Sequence, residues 1–284
     1  MTRLRARDIH HITSTLGHYD LQLLKKTGGT LSQIACRAID IDEQEVYRTQ
    51  SQFRVSVIPI TSGQGIIEGF ASAVKGIAKH LGFPSSITRK TDVSGLGEAF
   101  EKGGNIILLA DNHSFLAINP ARRRVVDNAE ATGKGFATAL EMMTKGLRGK
   151  EVLLIGAGQV GQSAAQSMVR MGAHLTVYDV DRGRSENLAR KIRALLKVGV
   201  KVENDVEEAL IRHRIYFDAS PSPQFIHSKH ITPDTYVAAP GVPLGLSPSA
   251  RDKASDRLLH DPLQIGVATM ILDTLYGNQE KILP

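Results

Sequence analysis

The sequence predicts an α/β protein in two parts. An N-terminal helical segment and a small parallel α/β domain come first, and a second α/β domain with its own sheet follows. Two observations predict this. From Val55 onward, short apolar runs that read as buried strands alternate with amphipathic helical patterns. One such alternation, at residues 151–179, carries three glycines at a fixed spacing between a strand and a helix.

That stretch reads EVLLIGAGQVGQSAAQSMVRMGAHLTVYD. Residues 152–155 form a continuous apolar run, as a strand buried on both faces requires. Gly156, Gly158 and Gly161 follow as G-x-G-x-x-G. Val160, Ala164, Met168 and Met171 then recur at helical spacing, and a second apolar run ends in Asp179. Each glycine has a job in a Rossmann dinucleotide-binding unit. Gly156 permits the tight turn, Gly158 lets a pyrophosphate approach the backbone, and Gly161 lets helix and strand pack closely. Ala157, Gln159 and Val160 belong to the same loop, whose N–H groups and helix dipole favour a phosphate. Asp179 lies 23 residues after Gly156, where a carboxylate accepts from an adenosine ribose. It repels a 2′-phosphate, so NAD is expected over NADP. Arg182 and Arg184 keep NADP open.

In order, residues 1–54 read as mainly helical. Asp8 is placed to cap a helix carrying Ile9, Ile12, Leu16, Leu23 and Leu24. Gly28 and Gly29 break it, and Thr30 or Ser32 starts another. Strands are expected at residues 55–60, 85–88 and 106–110. An amphipathic helix with Phe70, Val74 and Ile77 follows the first, and a helix opened by Asp92 follows the second. Residues 122–124, all arginine, read as a solvated loop. Residues 132–149 read as a bridging helix between a substrate domain at 1–131 and a Rossmann domain at 150–284. In that second domain, strands are expected at 215–218, 236–239 and 257–259, with a helix at 264–275 closing the fold.

In open α/β sheets, ligands bind beyond the carboxyl ends of the strands. Residues 61–65, 91–95 and 111–114 are polar segments at such ends, and together they suggest a substrate wall. Ser220, Pro240 and Asp261 are expected to line the nicotinamide half of the cleft.

The chain has 284 residues and is 42% hydrophobic, enough for two cores, and no apolar run reaches the ~18 residues of a membrane span. Its N-terminus lacks the apolar region of a secretory signal. Cys36 is the single cysteine, so no disulfide or thiolate cage forms within the chain, and a cytoplasmic setting is expected. The net charge of +6 is dispersed and not interleaved with aromatics, which argues against nucleic acid. His10, His11 and His18 lack a set of partner ligands, so no metal is expected.

The segments outside the glycine loop carry a resemblance. Residues 58–67 (IPITSGQGII), 92–95 (DVSG), and Ala110 and Asp111 with Phe115, Leu116, Ala117 and Asn119 resemble the PylD family of pyrrolysine synthases. So do residues 240–243 (PGVP), and Pro262 and Leu263 with Ile265, Gly266 and Met270. The resemblance runs almost the full chain. It implies an NAD-dependent amine dehydrogenase whose small-molecule substrate is lysine joined through its ε-nitrogen to 3-methyl-D-ornithine. The terminal amine is oxidised to an imine, the α-amine attacks it, ammonia leaves and a pyrroline ring closes.

Carried onto this chain, the resemblance and the strand-end reading imply catalytic roles for Asp111 and Asp261. Substrate contacts are implied at Leu4, Arg5, Ile60, Ser62, Ala110 and Asp111, with the segment around Leu4 covering the substrate. Cofactor contacts are implied at Ser62, Gln64, Ile67 and Ser114, and at Ser220, Pro240 and Asp261 besides the glycine loop and Asp179. Asp261 stands where the family has glutamate, and His113 where arginine is expected. A homodimer is expected, since many such enzymes dimerise. Two alternatives remain: a two-domain dehydrogenase of shikimate or methylene-tetrahydrofolate type, and a non-enzymatic NAD-sensing module.

Overall fold

The computed structural model describes residues 4–63 and 65–277. The N-terminal layer begins with α1 (Ala6–Ile9), α2 (Ile12–Thr27), α3 (Leu31–Ala38) and α4 (Glu43–Thr49). Asp8 does not cap the long helix. It lies inside α1, where its carboxylate accepts from the Arg5 N–H at 2.8 Å. Gly28, in the left-handed region at φ 78, ends α2. Thr30 starts α3 with a capping box to Gln33.

The first sheet contains β1 (Val55–Ile58), β2 (Ser85–Ile87), β3 (Ile106–Ala110), β4 (Phe115–Asn119) and β5 (Arg124–Asp127). Its order is β2-β1-β3-β4-β5. The first three strands are parallel, as expected, with α5 (Phe70–His80) and α6 (Asp92–Glu101) as crossovers. The last two are antiparallel additions, so the sheet is mixed rather than purely parallel. Their signal is the alternation of buried Phe115, Ala117 and Asn119. Arg122 and Arg123 are exposed, but Arg124 starts β5, and its Nε donates to the Asp273 carbonyl at 2.6 Å. The third arginine of the run is therefore a structural pair, not a solvated one.

Asp127 caps α7 (Asn128–Met143) by accepting from the Ala129 N–H at 2.7 Å. Helix α7 starts four residues earlier than its apolar pattern suggests and ends earlier too. Its buried face, with Phe136, Ala137, Ala139 and Leu140, belongs to one continuous core that joins both sheets.

The second sheet is wholly parallel. It comprises β6 (Glu151–Ile155), β7 (His174–Tyr178), β8 (Lys201–Val202), β9 (Ile215–Asp218), β10 (Tyr236–Ala238) and β11 (Leu258–Leu259), in the order β11-β10-β9-β6-β7-β8. This is the doubly wound Rossmann order, with its switch point between β6 and β9. Helices α8 (Gln159–Arg170), α9 (Arg182–Leu196), α10 (Val206–Arg212) and α11 (Pro248–Ala254) accompany it. β8, α10 and α11 are too short for periodicity to reveal.

The last helix, α12 (Gln264–Tyr276), was expected to close the dinucleotide-binding half. It lies against α3, α5 and α7 and against β4 and β5. Ile265, Val267, Met270, Ile271 and Leu272 are fully buried, each worth about 2 kcal/mol relative to exposure. Asp273 is buried among them, compensated by Arg124 and by Lys134 at 3.1 Å. No helix among the described residues is long and apolar enough to cross a membrane.

Candidate active site

A cavity of about 640 Å³ opens where the carboxyl ends of the two sheets meet. From the first sheet, the ends of β1, β3 and β5 supply Ile60 and Ser62, then Ala110 and Asp111, then Asn128. From the second, the ends of β6, β9 and β10 supply Gly158, then Ser220, then Pro240 and Gly241. Of the residues expected at a site, the structure brings together Leu4, Ile60, Ser62, Ile67, Ala110, Asp111, Gly158, Gln159, Val160, Ser220 and Pro240. Gln64 lies outside the described residues.

Asp111 is exposed in this wall. Its Oδ1 accepts the N–H groups of His113 at 2.7 Å and Ser114 at 2.8 Å. These bonds hold its carboxyl below the ordinary aspartate range, with the Ser114 contribution largest. The turn therefore fixes one oxygen and keeps the group ionised. Ser114 itself is a support, not part of the lining. The preceding turn is fixed in a similar way: Asp92 accepts from the Thr61 N–H at 2.8 Å and from its hydroxyl at 2.6 Å. Phe70 and Phe115, edge to face at 5.2 Å, form an apolar part of the wall.

On the Rossmann side the glycines divide their work. A Cβ on Gly158 would meet nothing within 4 Å, so the loop is open at that point. A Cβ on Gly161 would fall 1.9 Å from the Gly156 carbonyl oxygen, so only glycine fits there. Asp179 Oδ2 accepts from the Ala157 N–H at 2.7 Å and holds the loop in place. Gln159 and Val160, the first residues of α8, face the cavity, and the free N–H groups of a first helical turn suit a phosphate. An open glycine loop, a helix N-terminus and a carboxylate on the next strand fit a nicotinamide dinucleotide.

Gly156, Ala157, Gly161 and Asp179 are behind the lining, and Arg5 is exposed outside it. Asp261 also lies outside. Only 3% of its surface is exposed. Its Oδ2 accepts from the Tyr19 hydroxyl at 2.5 Å, and its Oδ1 from the Leu263 N–H at 2.9 Å. Burial pushes its carboxyl above the usual range, while the Tyr19 bond pulls it back. The neighbours Pro262 and Leu263, not Asp261, reach the cavity.

Sequence reasoning missed Asn128, Thr132 and Arg184 as lining residues. Asn128 follows β5, and without that strand its carboxyl end could not be counted. Arg184, whose charge bears on cofactor choice, also lines the cavity. It also pairs with Asp181 at 3.5 Å.

Residues 8–126 match the model of the pyrrolysine biosynthesis protein PylD, N-terminal domain. Residues 125–220 match the alanine dehydrogenase/PNT C-terminal domain. A pyrrolysine synthase from Methanosarcina barkeri is 31% identical over 276 residues, covering 97% of this chain and 98% of that protein. One from Methanosarcina acetivorans is 29% identical, covering 97% and 100%. Among solved structures, quinate dehydrogenase from Corynebacterium glutamicum in complex with NAD has a TM-score of 0.54. It is 16% identical and covers 78% of this chain and 92% of its own, a likeness of fold alone. With near-complete coverage at 31% identity, the chain belongs to the pyrrolysine synthase family.

Proposed function

We propose that this chain is an oxidoreductase of pyrrolysine biosynthesis that uses NAD to oxidise the terminal amine of lysine-Nε-3-methyl-D-ornithine. The ring then closes with loss of ammonia to give L-pyrrolysine. Family membership and the dehydrogenase fold support the coarser part, a nicotinamide-dependent step in that biosynthesis. The observation that carries the finer part is Asp111, an ionised carboxylate on the wall shared with the open glycine loop.

Asp111 uses Oδ1 for its own turn, so Oδ2 is left for an ammonium group. That pairing orients the adjacent carbon. When bound, NAD⁺ would supply the hydride acceptor; the ammonium, losing a hydride from its carbon and one proton from its nitrogen, becomes a protonated imine. Phe70, Phe115, Ile60 and Ile67 keep that region apolar and limit water. Leu4 lines the same cavity and belongs to the segment assigned to cover the substrate. The enclosing wall favours a bent chain, in which attack by the α-amine is intramolecular. Asp261 acts one layer back, holding the Leu263 N–H and so the segment that lines the cavity. Asp179 disfavours a 2′-phosphate, which supports NAD over NADP.

The test is incubation with NAD⁺ and the lysine–methylornithine substrate, following NADH absorbance and product mass. NADH formation with the mass of pyrrolysine is expected. No NADH with that substrate, but consumption of NADPH with dehydroshikimate, would overturn the reading in favour of a shikimate-type enzyme. NADH binding without turnover of any amine would favour a sensor.

A further inference from the structure

Asp218 ends β9 with 0% of its surface exposed, and no step above uses it. Its Oδ1 accepts from the Ser220 N–H at 3.0 Å and from the Ser220 hydroxyl at 2.6 Å. Its Oδ2 is buried against the backbone of Gly245, whose N–H favours the ionised form. Two loops close on this segment, the one between β10 and α11, at Gly241 and Gly245, and the dinucleotide loop, at Gly156. A Cβ on Gly245 would fall 2.1 Å from Asp218 Oδ2, and one on Gly241 2.3 Å from the Ser220 carbonyl oxygen. One on Gly156, in the dinucleotide loop itself, would fall 3.1 Å from the Ser220 nitrogen. The backbone of residues 218–220 is thus hemmed in by two loops, and Ser220 is held at the cavity wall.

A serine hydroxyl has one hydrogen and two acceptor sites. Here the hydrogen is committed to a buried carboxylate. What Ser220 turns to the cavity is therefore lone-pair density. Its neighbours Pro221 and Pro240 carry no N–H. The position identifies the ligand group. In the sheet, β7 with Asp179 lies on one side of β6, while β9 and β10 lie on the other. If Asp179 marks the adenosine end, Ser220 lies toward the nicotinamide end.

We infer that Asp218 is a positioning residue that fixes Ser220 as a hydrogen-bond acceptor for the carboxamide N–H of the nicotinamide. The inference rests on the cofactor reading above. It adds a specificity device: an acceptor at this point favours a carboxamide over a ring substituent that has no N–H. Burial raises the Asp218 carboxyl to about 6, so at neutral pH it is ionised and accepts the serine hydrogen bond.

The test compares binding of NADH with its reduced acetylpyridine analogue, in which a methyl group replaces the carboxamide nitrogen. Binding is followed by fluorescence, without turnover. The wild-type protein should prefer NADH by roughly five- to tenfold, the range of one net hydrogen bond. Ser220→Ala should bring that ratio close to one, and Ser220→Thr should keep it. Asp218→Ala should lower the ratio by at least about threefold, because the freed hydroxyl can turn and donate. Asp218→Asn, which keeps an acceptor at Oδ1, should restore it. Where Asp218→Ala does not fold, Asp218→Val fills more of the space than alanine and also removes the acceptor. A ratio unchanged by Ser220→Ala, or by either apolar variant at Asp218, overturns the inference. Failure to bind any nicotinamide dinucleotide overturns the cofactor reading instead.

Discussion

The Tyr19 hydroxyl donates a 2.5 Å hydrogen bond to Oδ2 of Asp261, tying α2 to the segment that opens α12. Asp261 is buried and Tyr19 half-buried. Burial, then the Asp261 charge, push the Tyr19 hydroxyl well above its ordinary range. Tyr19→Phe leaves a buried carboxylate oxygen without its donor, a loss of about 1–3 kcal/mol. The sign with pH follows from Asp261. Its folded pKa is raised, so its contribution is most favourable at low pH and is lost as pH rises through the folded value. Removing Tyr19 raises that value further. Urea unfolding should therefore register a larger penalty for Tyr19→Phe at about pH 8 than at about pH 5.

Asp111→Asn keeps the turn, because the amide oxygen still accepts from His113 and Ser114. It removes the charge that pairs with the amine. Turnover of the lysine–methylornithine substrate should fall on the order of a hundredfold, with NADH affinity within about twofold of wild type. A stable variant with full activity would remove Asp111 from the mechanism.

Two glycines of one loop should fail differently. Gly158→Ala meets no neighbour, so the melting temperature should hold while NADH affinity drops at least about tenfold. Gly161→Ala drives a methyl group into the Gly156 carbonyl, so melting temperature and affinity should both fall. Thermal melts beside NADH titrations separate the two. Equal melting temperatures would contradict this account of Gly161.

Asp218 should leave a mark on stability apart from its effect on ligand choice. Its folded pKa of about 6 lies above that of an unfolded aspartate. The folded state therefore binds the proton more tightly, and ionising the group costs stability as pH rises through the interval. The full effect is at most about 3 kcal/mol between roughly pH 4 and pH 7. Asp218→Asn cannot titrate. The stability difference between wild type and variant should shift in the variant's favour across that interval, read from urea midpoints at each pH.

Much of this was legible in the sequence because the relevant signals are local. The G-x-G-x-x-G loop, the apolar strands before and after it, and Asp111 after β3 all follow from neighbours in the chain. Strands β4 and β5 were not legible. Neither shows the continuous apolar run that marks β1, β3 and β9: β4 alternates buried and half-buried positions and β5 opens on an arginine. Asn128 was lost from the site for the same reason. Asp261 failed otherwise: its place after a strand matches a cleft position, but Tyr19, distant in sequence, captures its side chain. No local pattern contains that partner. Arg124 looked like surface charge until α12 supplied Asp273 from the far end of the chain.

Helix α12 has a consequence for how the chain is made. The first sheet and helices α3, α5 and α7 are translated before α12, yet α12 is one of their packing partners. On the ribosome, the first half emerges with an apolar surface that cannot yet be covered, while the whole second sheet is still to come. Domains made early can fold as units during synthesis. This one reaches its finished core last, and a premature stop before Gln264 would strip the cover from residues translated long before it.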